Sequence, residues 1–127
     1  MNDQLSIVAA NYKRSKAWYQ AVLAPLGHEL KSDGDNGQVR VAEFGPVGSE
    51  QVVFRLVSAT LERGVGEASA HLCLRANCQE AVRAFHTAAL LAGGEDNGMP
   101  GVRPGQNAYA ALVFDPDGYH VEAACLA

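Results

Sequence analysis

Apolar and polar residues alternate along several short stretches of the chain, and one longer stretch has helical spacing instead. Residues 4–10 (QLSIVAA) alternate with a period of two, which predicts a strand with Gln4 and Leu5 on opposite faces. From about residue 13 the apolar residues recur at helical spacing, and the helix should end at Gly27, with an irregular last turn at Pro25. Three more strands are predicted at residues 28–31, 38–44 and 51–57.

The second half of the chain repeats this order of elements. Residues 71–76 predict a strand that carries His71 on its polar face. A helix should follow over residues 78–92, and it opens with Asn77 and Glu80 at the spacing of a capping box.

The last part of the chain predicts a long loop and a β-hairpin. Residues 95–106 (EDNGMPGVRPGQ) are rich in Gly and Pro and are interpreted as a loop. Residues 109–124 (YAALVFDPDGYHVEAA) place two strand-forming runs around Asp-Pro-Asp-Gly, where Gly118 supplies a positive φ. Glu122 follows the turn, on the strand face opposite Val121. The function of the chain depends on what this carboxylate contacts.

The recurrence of strand, helix and turn predicts one domain built from two modules. Asn11 in the first half recurs as Asn77 in the second, between a strand and a helix. The predicted divisions are module 1 over about residues 1–57, a polar linker over 58–69, and module 2 over about 70–127. A half of about sixty residues buries too little apolar surface to be stable alone, so we expect the modules to pack together as a single domain, 1–127.

Composition and charge exclude several classes of partner. The chain of 127 residues has a formal net charge of −4 at pH 7 and no Lys/Arg-rich run, so we expect neither nucleic acid nor a membrane as a partner. No apolar run has the length of a signal peptide or a membrane span, which predicts a cytoplasmic protein. The cysteines lack Cys-x-x-Cys spacing, and we interpret Cys73, Cys78 and Cys125 as reduced, buried thiols.

Four stretches of the chain resemble one protein family. They are RSKAWYQAVLAPLG (14–27), HLCLRAN (71–77), FHTAALLAGGEDNGMPGVRP (85–104) and YAALVFDPDGYHVEA (109–123). They resemble the vicinal oxygen chelate superfamily of glyoxalase I, bleomycin-resistance proteins and extradiol dioxygenases, and the last two resemble a glyoxalase-like bacterial branch. The resemblance implies an α+β fold of paired βαβββ modules, with a curled mixed sheet around a cup-shaped cavity, and a homodimer. Such a fold does not by itself define the chemistry.

The resemblance also implies a metal site on the first and last strands of the modules. The matching positions are Gln4, His71 and Glu122, all on strand faces opposite the apolar stripes. One imidazole and two oxygen donors suit a divalent ion such as Zn²⁺, Ni²⁺, Mn²⁺ or Fe²⁺. The fourth position falls on Val52 or Phe54, neither of which binds a metal, so the ligand set is incomplete.

Two functions from different classes follow from the resemblance. The first is a metal-dependent isomerase or lyase of the lactoylglutathione-lyase type, acting on a small substrate with neighbouring oxygens, with Glu122 as the catalytic base. The second is a metal-free protein of the bleomycin-resistance type, which sequesters a small molecule at a dimer interface. The residues expected to line the substrate pocket are Arg75, Tyr109, Arg103, His120 and Phe54.

The same side chains also have structural interpretations. His71 is also explained as a strand histidine with a hydrogen bond inside the cup, and Arg103 as a solvated loop residue. Glu122 either meets a cation or joins a neutral polar network, because an unpaired buried carboxylate is costly. The candidate members of that network are Arg75, His120 and His71.

Overall fold

The computed structural model describes residues 5–61, 64 and 71–127, so Gln4 and most of the expected linker lie outside the described residues. Module 1 consists of β1 (Leu5–Ala9), α1 (Tyr12–Leu23), β2 (His28–Asp35), β3 (Arg40–Pro46) and β4 (Phe54–Ser58). Module 2 consists of β5 (His71–Arg75), α2 (Gln79–Leu91), β6 (Glu95–Arg103), β7 (Ala108–Phe114) and β8 (His120–Leu126). Neither α-helix found among these described residues has the length and apolar character needed to cross a membrane.

Each module forms its own four-stranded mixed sheet. The strand order is β1-β4-β3-β2 in the first sheet and β5-β8-β7-β6 in the second. In both sheets the first strand pairs in parallel with the last, and the other pairs are antiparallel. The α+β fold of paired βαβββ modules is therefore confirmed, with two sheets that do not close on each other.

The residues that bound the first helical segment are a side-chain N-cap and a glycine. Its N-cap is Asn11, whose Oδ1 accepts a hydrogen bond from the backbone N–H of Arg14 at 3.1 Å. After α1 the chain forms a one-turn 3₁₀ helix (Ala24–Leu26) that stops at Gly27, which has a φ of 81°. The irregular last turn predicted at Pro25 is confirmed.

Helix α2 lacks the predicted capping box. Its N-cap is Cys78, one residue later than expected, and it makes no side-chain cap hydrogen bond. The backbone N–H of Ala76 donates to the Ala124 carbonyl at 2.8 Å, so sheet pairing continues past the end of β5 and delays the start of the helix. A thiol is a weak hydrogen-bond acceptor, which explains why α2 has no side-chain cap.

The loop predicted over residues 95–106 is wrong, because most of it forms β6. This edge strand pairs with β7, with register shifts on both sides of Gly98. The shifts break the period of two by which a strand is recognised in sequence. Pro100 is tolerated because one side of an edge strand makes no sheet hydrogen bonds.

The two modules adjoin through their helices. Helix α1 contacts α2, and Nε1–H of Trp18 donates to the Ala89 carbonyl at 3.0 Å. Helix-facing side chains from both sheets form one continuous core cluster, in which Trp18, Tyr19 and Phe54 are at most 1% exposed. Aromatic side chains of this size dominate the energetics of a core. The opposite face of each sheet therefore points away from this core.

The turn between β7 and β8 joins module 2 to α1. The predicted turn is confirmed, since Gly118 has a φ of 89° and its N–H donates to the Asp115 carbonyl at 2.9 Å. The Tyr19 hydroxyl donates to the Asp115 carboxylate at 2.6 Å, and Asp117 accepts from the backbone N–H of Ala10 at 3.2 Å. Burial raises the pKa of both Asp115 and Tyr19, as expected where an ionised form would lack water.

Candidate functional site

Each sheet has one face that no helix of the described residues covers, which we call its open face. Alternation along a strand places every second residue there. The open face of the second sheet carries His71, Cys73 and Arg75 from β5, His120, Glu122 and Ala124 from β8, and Leu112 and Phe114 from β7. Their neighbours, such as Leu72 and Val121, are buried in the core.

His71 and Glu122 meet on the open face of the second sheet. Nε2 of His71 is 3.2 Å from Oε1 of Glu122. The Glu122 side chain is 18% exposed and that of His71 is 45% exposed, so the carboxylate lies deeper than the imidazole. Cys73 stands directly opposite Glu122 in the register of β5 and β8 and hydrogen-bonds to its carboxylate. We call these three residues the His71–Cys73–Glu122 cluster.

The cluster keeps the Cys73 thiol protonated. Cys73 is exposed, yet partial burial of its thiol raises the pKa, and the negative charge of Glu122 and the hydrogen bond to it raise the pKa further. A protonated thiol is a donor, so Glu122 has two partners, His71 and Cys73. A hydrogen-bonded network was one of the two alternatives that the sequence left open for Glu122.

An aromatic surface adjoins the cluster. The His120 ring packs edge-on against Phe114, with ring centroids 4.9 Å apart, and its centroid is 6.1 Å from that of His71. Nδ2 of Asn97 on β6 is 3.3 Å from Nδ1 of His120. A ligand on this face would therefore meet two imidazoles, a phenyl ring and a carboxylate.

Arg55 takes the place of Glu122 in the first sheet. Glu122 pairs in register with Cys73 on the parallel strand β5, and Arg55 pairs in the same way with Ser6 on β1. Arg55 precedes Glu122 by the same number of residues as Ser6 precedes Cys73. The N-cap of α1, Asn11, precedes the N-cap of α2, Cys78, by that number as well. The equivalence therefore holds along the length of both modules.

The predicted fourth metal position, Val52 or Phe54, is wrong in register. Phe54 is fully buried on the helix side of β4, where its ring centroid is 4.6 Å from that of Tyr19, and Val52 precedes the strand. Gly118 stands close to the start of β8, whereas Gly48 stands several residues before β4. Aligning the two turns on these glycines therefore shifts the strands out of register.

Arg55 is paired with a carboxylate of its own sheet. Its Nε donates to Oε2 of Glu43 at 2.8 Å, and the Ser32 hydroxyl donates to Oε1 of Glu43 at 2.8 Å. The Ser32 hydrogen bond, followed by that of Arg55, lowers the pKa of Glu43 although burial opposes the shift. The open face of the first sheet thus carries a guanidinium–carboxylate pair.

Three of the predicted pocket residues are engaged elsewhere, and the first of them is Phe54, which is fully buried in the core. Tyr109 lies on the helix side of β7, where it packs against the core and contacts Nη1 of Arg83 through its hydroxyl at 3.3 Å. Nη2 of Arg103 donates to the Met99 and Ala110 carbonyls, at 2.8 and 2.9 Å. Arg103 therefore supports the irregular pairing of β6 with β7.

The described residues do not fit a complete metal site. Among them, no group of three or more His, Cys, Asp or Glu side chains is arranged to hold an ion. His71 and Glu122 supply two donors, but Arg55, which corresponds to Glu122 in module 1, donates hydrogen bonds and cannot coordinate a cation. Gln4 lies outside the described residues, so its place in a ligand set stays a prediction.

Cys73 and Arg55 are the site residues that sequence reasoning missed. The expectation of buried thiols is wrong, because Cys73 and Cys78 are exposed, and all three cysteines are free. Alternation already placed Cys73 on the same face as His71, which was a usable signal. Alternation in β4 would likewise have placed Arg55 on the open face, once Phe54 was assigned to the face that packs against the helices.

Two βαβββ modules, each with a four-stranded mixed sheet, give the chain a glyoxalase-like α+β fold. A sequence model of the Glyoxalase/Bleomycin resistance protein/Dioxygenase superfamily matches residues 2–123. The chain belongs to this superfamily, and the resemblance drawn from the sequence is confirmed.

Solved structures of superfamily members share the fold. A glyoxalase/bleomycin resistance protein from Albidiferax ferrireducens is 25% identical, with a TM-score of 0.71, over 95% of this chain and 94% of that one. A glyoxalase I mutant from Zea mays is 26% identical, with a TM-score of 0.74, over 95% of this chain and 44% of that one. A family enzyme from Burkholderia phytofirmans has a TM-score of 0.73 at 13% identity over both full chains, which shows the fold alone. No curated protein matches the sequence.

Proposed function

We propose that this protein binds a small organic molecule on the open face of its second sheet without a resident metal, as a binding protein of the bleomycin-resistance type. The observation that carries the proposal is Arg55, a guanidinium already paired with Glu43, at the position where the superfamily pattern requires a metal ligand. In this function Glu122 is a hydrogen-bond acceptor for the ligand.

The His71–Cys73–Glu122 cluster suits directional binding of a polar group. A carboxylate has about four acceptor sites, and His71 and Cys73 occupy only part of them. The exposed imidazole offers its second ring nitrogen to a ligand. Leu112 and Phe114 on the same face provide apolar contact area. A few placed polar groups among apolar ones are typical of small-molecule sites.

We also propose that a second copy of the chain covers this face, which makes the protein a homodimer. Within one chain the modules adjoin through their helices, and no described strand of one sheet pairs with the other sheet. Strands β1 and β5 are therefore edge strands with one unpaired side among the described residues. A two-fold dimer would set the Glu122 face of one copy against the Arg55 face of the other.

A metal-dependent isomerase or lyase of the lactoylglutathione-lyase type is the second candidate. The 3.2 Å contact between His71 and Glu122 favours it, because these two side chains are near enough to share one ion. A bound divalent ion would supply Lewis-acid stabilisation of an oxyanion. Glu122 would act as the general base, as the sequence predicts.

Metal analysis separates the two candidates. Protein purified without a histidine tag is analysed for Zn, Ni, Mn and Fe and titrated with each ion by calorimetry. We expect no stoichiometric metal. Stoichiometric metal that is lost in both His71→Ala and Glu122→Ala, and kept in Glu29→Ala, would overturn the metal-free proposal. Glu29 is a matched control because it is an exposed carboxylate on β2 of the other sheet.

A ligand screen tests binding at the cluster. Small aromatic and polar compounds are added to the wild-type protein and to Glu122→Ala, and the unfolding temperature is measured. Compounds that bind the folded state raise this temperature. We expect stabilisation of the wild type that is reduced in Glu122→Ala. Equal stabilisation of both proteins would place the ligand elsewhere.

Sedimentation analysis tests the homodimer. We expect a dimer at micromolar concentration, and a monomer under those conditions would contradict the proposal. A cytoplasmic location is proposed as well, since all three cysteines are free, as is usual in a reducing compartment.

A further inference from the structure

We infer that a carboxylate-binding pocket around Arg75 continues the open face of the second sheet, and that the ligand of this protein is therefore an organic carboxylic acid. The inference rests on the proposed function, because the pocket adjoins the His71–Cys73–Glu122 cluster along β5 and β8. It adds the chemical class of the ligand and a second group that recognises it.

A cavity of about 530 Å³ lies where β5 and β8 end. Its walls come from these strand ends, from the start of α2 and from the turn between β6 and β7. The lining residues that matter for recognition are Arg75, Asn77, Cys78, Gln106, Asn107 and Ala124. The volume is within the range of roughly 300–1,000 Å³ that small-molecule sites occupy.

The charge of this cavity comes from one residue. Among the described residues that line it, Arg75 alone is charged, and the others are amides, thiols and apolar side chains. No residue that the structure describes forms an ion pair or hydrogen bond with the Arg75 guanidinium. The other described arginines each have such a partner, namely Arg14, Arg40, Arg55, Arg83 and Arg103. Within the described part of one chain, the Arg75 guanidinium is therefore available to an anionic ligand.

A carboxylate is the anion that this lining matches best. A guanidinium presents two parallel N–H groups that bind both oxygens of a carboxylate. A single guanidinium balances a single negative charge, whereas a phosphate dianion would leave one charge without a counterion. The amide groups of Asn77, Gln106 and Asn107 supply further donors at the cavity wall. The uncapped start of α2, at Cys78, adds a partial positive charge to the same wall.

The spacing along the strands defines the length of the ligand. Arg75 follows Cys73 on the same face of β5, at a distance of two residues or about 7 Å. Ala124 follows Glu122 on β8 in the same way and stands opposite Arg75 in register, where its side chain is only a methyl group. A ligand would therefore donate a hydrogen bond to Glu122 at one end and place its carboxylate at Arg75, about 7–10 Å away.

The test uses sodium phenylacetate and its neutral amide, phenylacetamide, as probes of the uniformly ¹⁵N-labelled protein. Backbone amide shifts are followed in titrations at constant ionic strength, with sodium chloride as the reference salt. We expect phenylacetate to shift the amides of Asn77, Cys78 and residues 106–108, and to bind at least tenfold more tightly than phenylacetamide. Arg75→Gln should abolish this preference, and the control Arg83→Gln, an exposed arginine of α2, should keep it.

Three outcomes would overturn the inference: equal binding of acid and amide, shifts confined to other residues, or an unchanged preference in Arg75→Gln. Because Arg75 is on the surface, Arg75→Gln should unfold at the wild-type temperature, and this is checked first.

The test also separates this inference from the proposed function. Glu122→Gln should leave the phenylacetate shifts around Arg75 in place, since phenylacetate carries no donor for Glu122. If phenylacetate shows no preference over phenylacetamide but the ligand screen still depends on Glu122, the carboxylate-binding pocket alone is contradicted. In the opposite case, carboxylates still bind around Arg75 but the ligand screen finds no dependence on Glu122. That result would contradict the proposed function of the cluster, and also a ligand that contacts both Glu122 and Arg75.

Discussion

Arg55 and Glu122 occupy equivalent positions in the two modules and carry opposite charges. Each stands on the open face of the last strand of its module in chain order, β4 or β8, and pairs in register with the first strand of that module. Glu43 holds Arg55 in place, whereas Glu122 contacts His71 and Cys73. The two open faces have therefore diverged, and in the part of the chain that the structure describes the second alone combines a carboxylate with imidazoles and an adjoining cavity.

The register of β4 predicts that alanine substitutions at two neighbouring residues change the free energy of unfolding by very different amounts. Phe54→Ala should lower the free energy of unfolding by about 3–5 kcal/mol, because it leaves a cavity beneath α1. Arg55→Ala should cost less than about 1 kcal/mol, because its pair with Glu43 is solvent-exposed. Urea denaturation of both variants gives the two values. Similar losses would mean that the strand faces are assigned wrongly.

The hydroxyl of Tyr19 is predicted to stabilise the contact between the modules. Tyr19→Phe should lower the free energy of unfolding by about 1–3 kcal/mol, because it leaves the buried Asp115 carboxylate with one donor fewer. Tyr12→Phe is the matched control. Its hydroxyl also donates to an aspartate, Asp33, at 2.6 Å, but that contact is only partly buried, and Lys16 still pairs with the carboxylate. Equal losses in the two variants would contradict the role given to burial.

The pKa of Asp115 predicts how stability changes with pH. Burial raises this pKa above the ordinary value of 3.8, so over part of the acid range the folded state holds a proton that the unfolded state has lost. The stability gained from Asp115 is fully present below about pH 3.8 and is lost as the pH rises through the pKa of the folded state. Asp115→Asn does not titrate at this site.

Urea denaturation at several pH values between about 3.5 and 7 compares the wild type with Asp115→Asn. The difference in unfolding free energy should become less favourable to the wild type as the pH rises, and should then level off. Other titrating groups largely cancel in this difference. A difference that grows more favourable to the wild type with pH would mean that the pKa of Asp115 is lowered, not raised.

The contact between Glu122 and Cys73 predicts a change in thiol reactivity. Iodoacetamide reacts with the thiolate, and Glu122 raises the pKa of Cys73, after the larger effect of burial. Glu122→Gln should therefore speed alkylation of Cys73 severalfold at pH 8, since a fall of one pKa unit gives up to about tenfold more thiolate. Site-resolved mass spectrometry measures the rate. Cys78, exposed at the start of α2, is the internal control and should react at an unchanged rate.

Local sequence was sufficient for the order of elements and for much of the fold. The first helical segment begins after Asn11 and ends at Gly27, because capping acts within one turn of a helix. The Asp115–Gly118 turn depends on its own four residues. Strand β6 was not recognised, because its bulges around Gly98 remove the alternation that marks a strand. Cys78 became the N-cap of α2 through strand pairing with β8, which is a contact distant in sequence.

The sequence by itself determined the order of helices and strands and its recurrence in two modules, because periodicity, capping and turn residues act over short distances along the chain. Its resemblance to the superfamily implied that these modules are paired βαβββ units. The sequence also determined that His71 and Glu122 lie on polar strand faces. Only the tertiary structure decided that these two side chains touch, that Cys73 joins them, and that Arg55 is the counterpart of Glu122. Those facts depend on strand register, which is set by the packing of apolar faces against the helices and pairs residues about fifty positions apart in the chain. A shift of one residue would reverse every side chain of a strand.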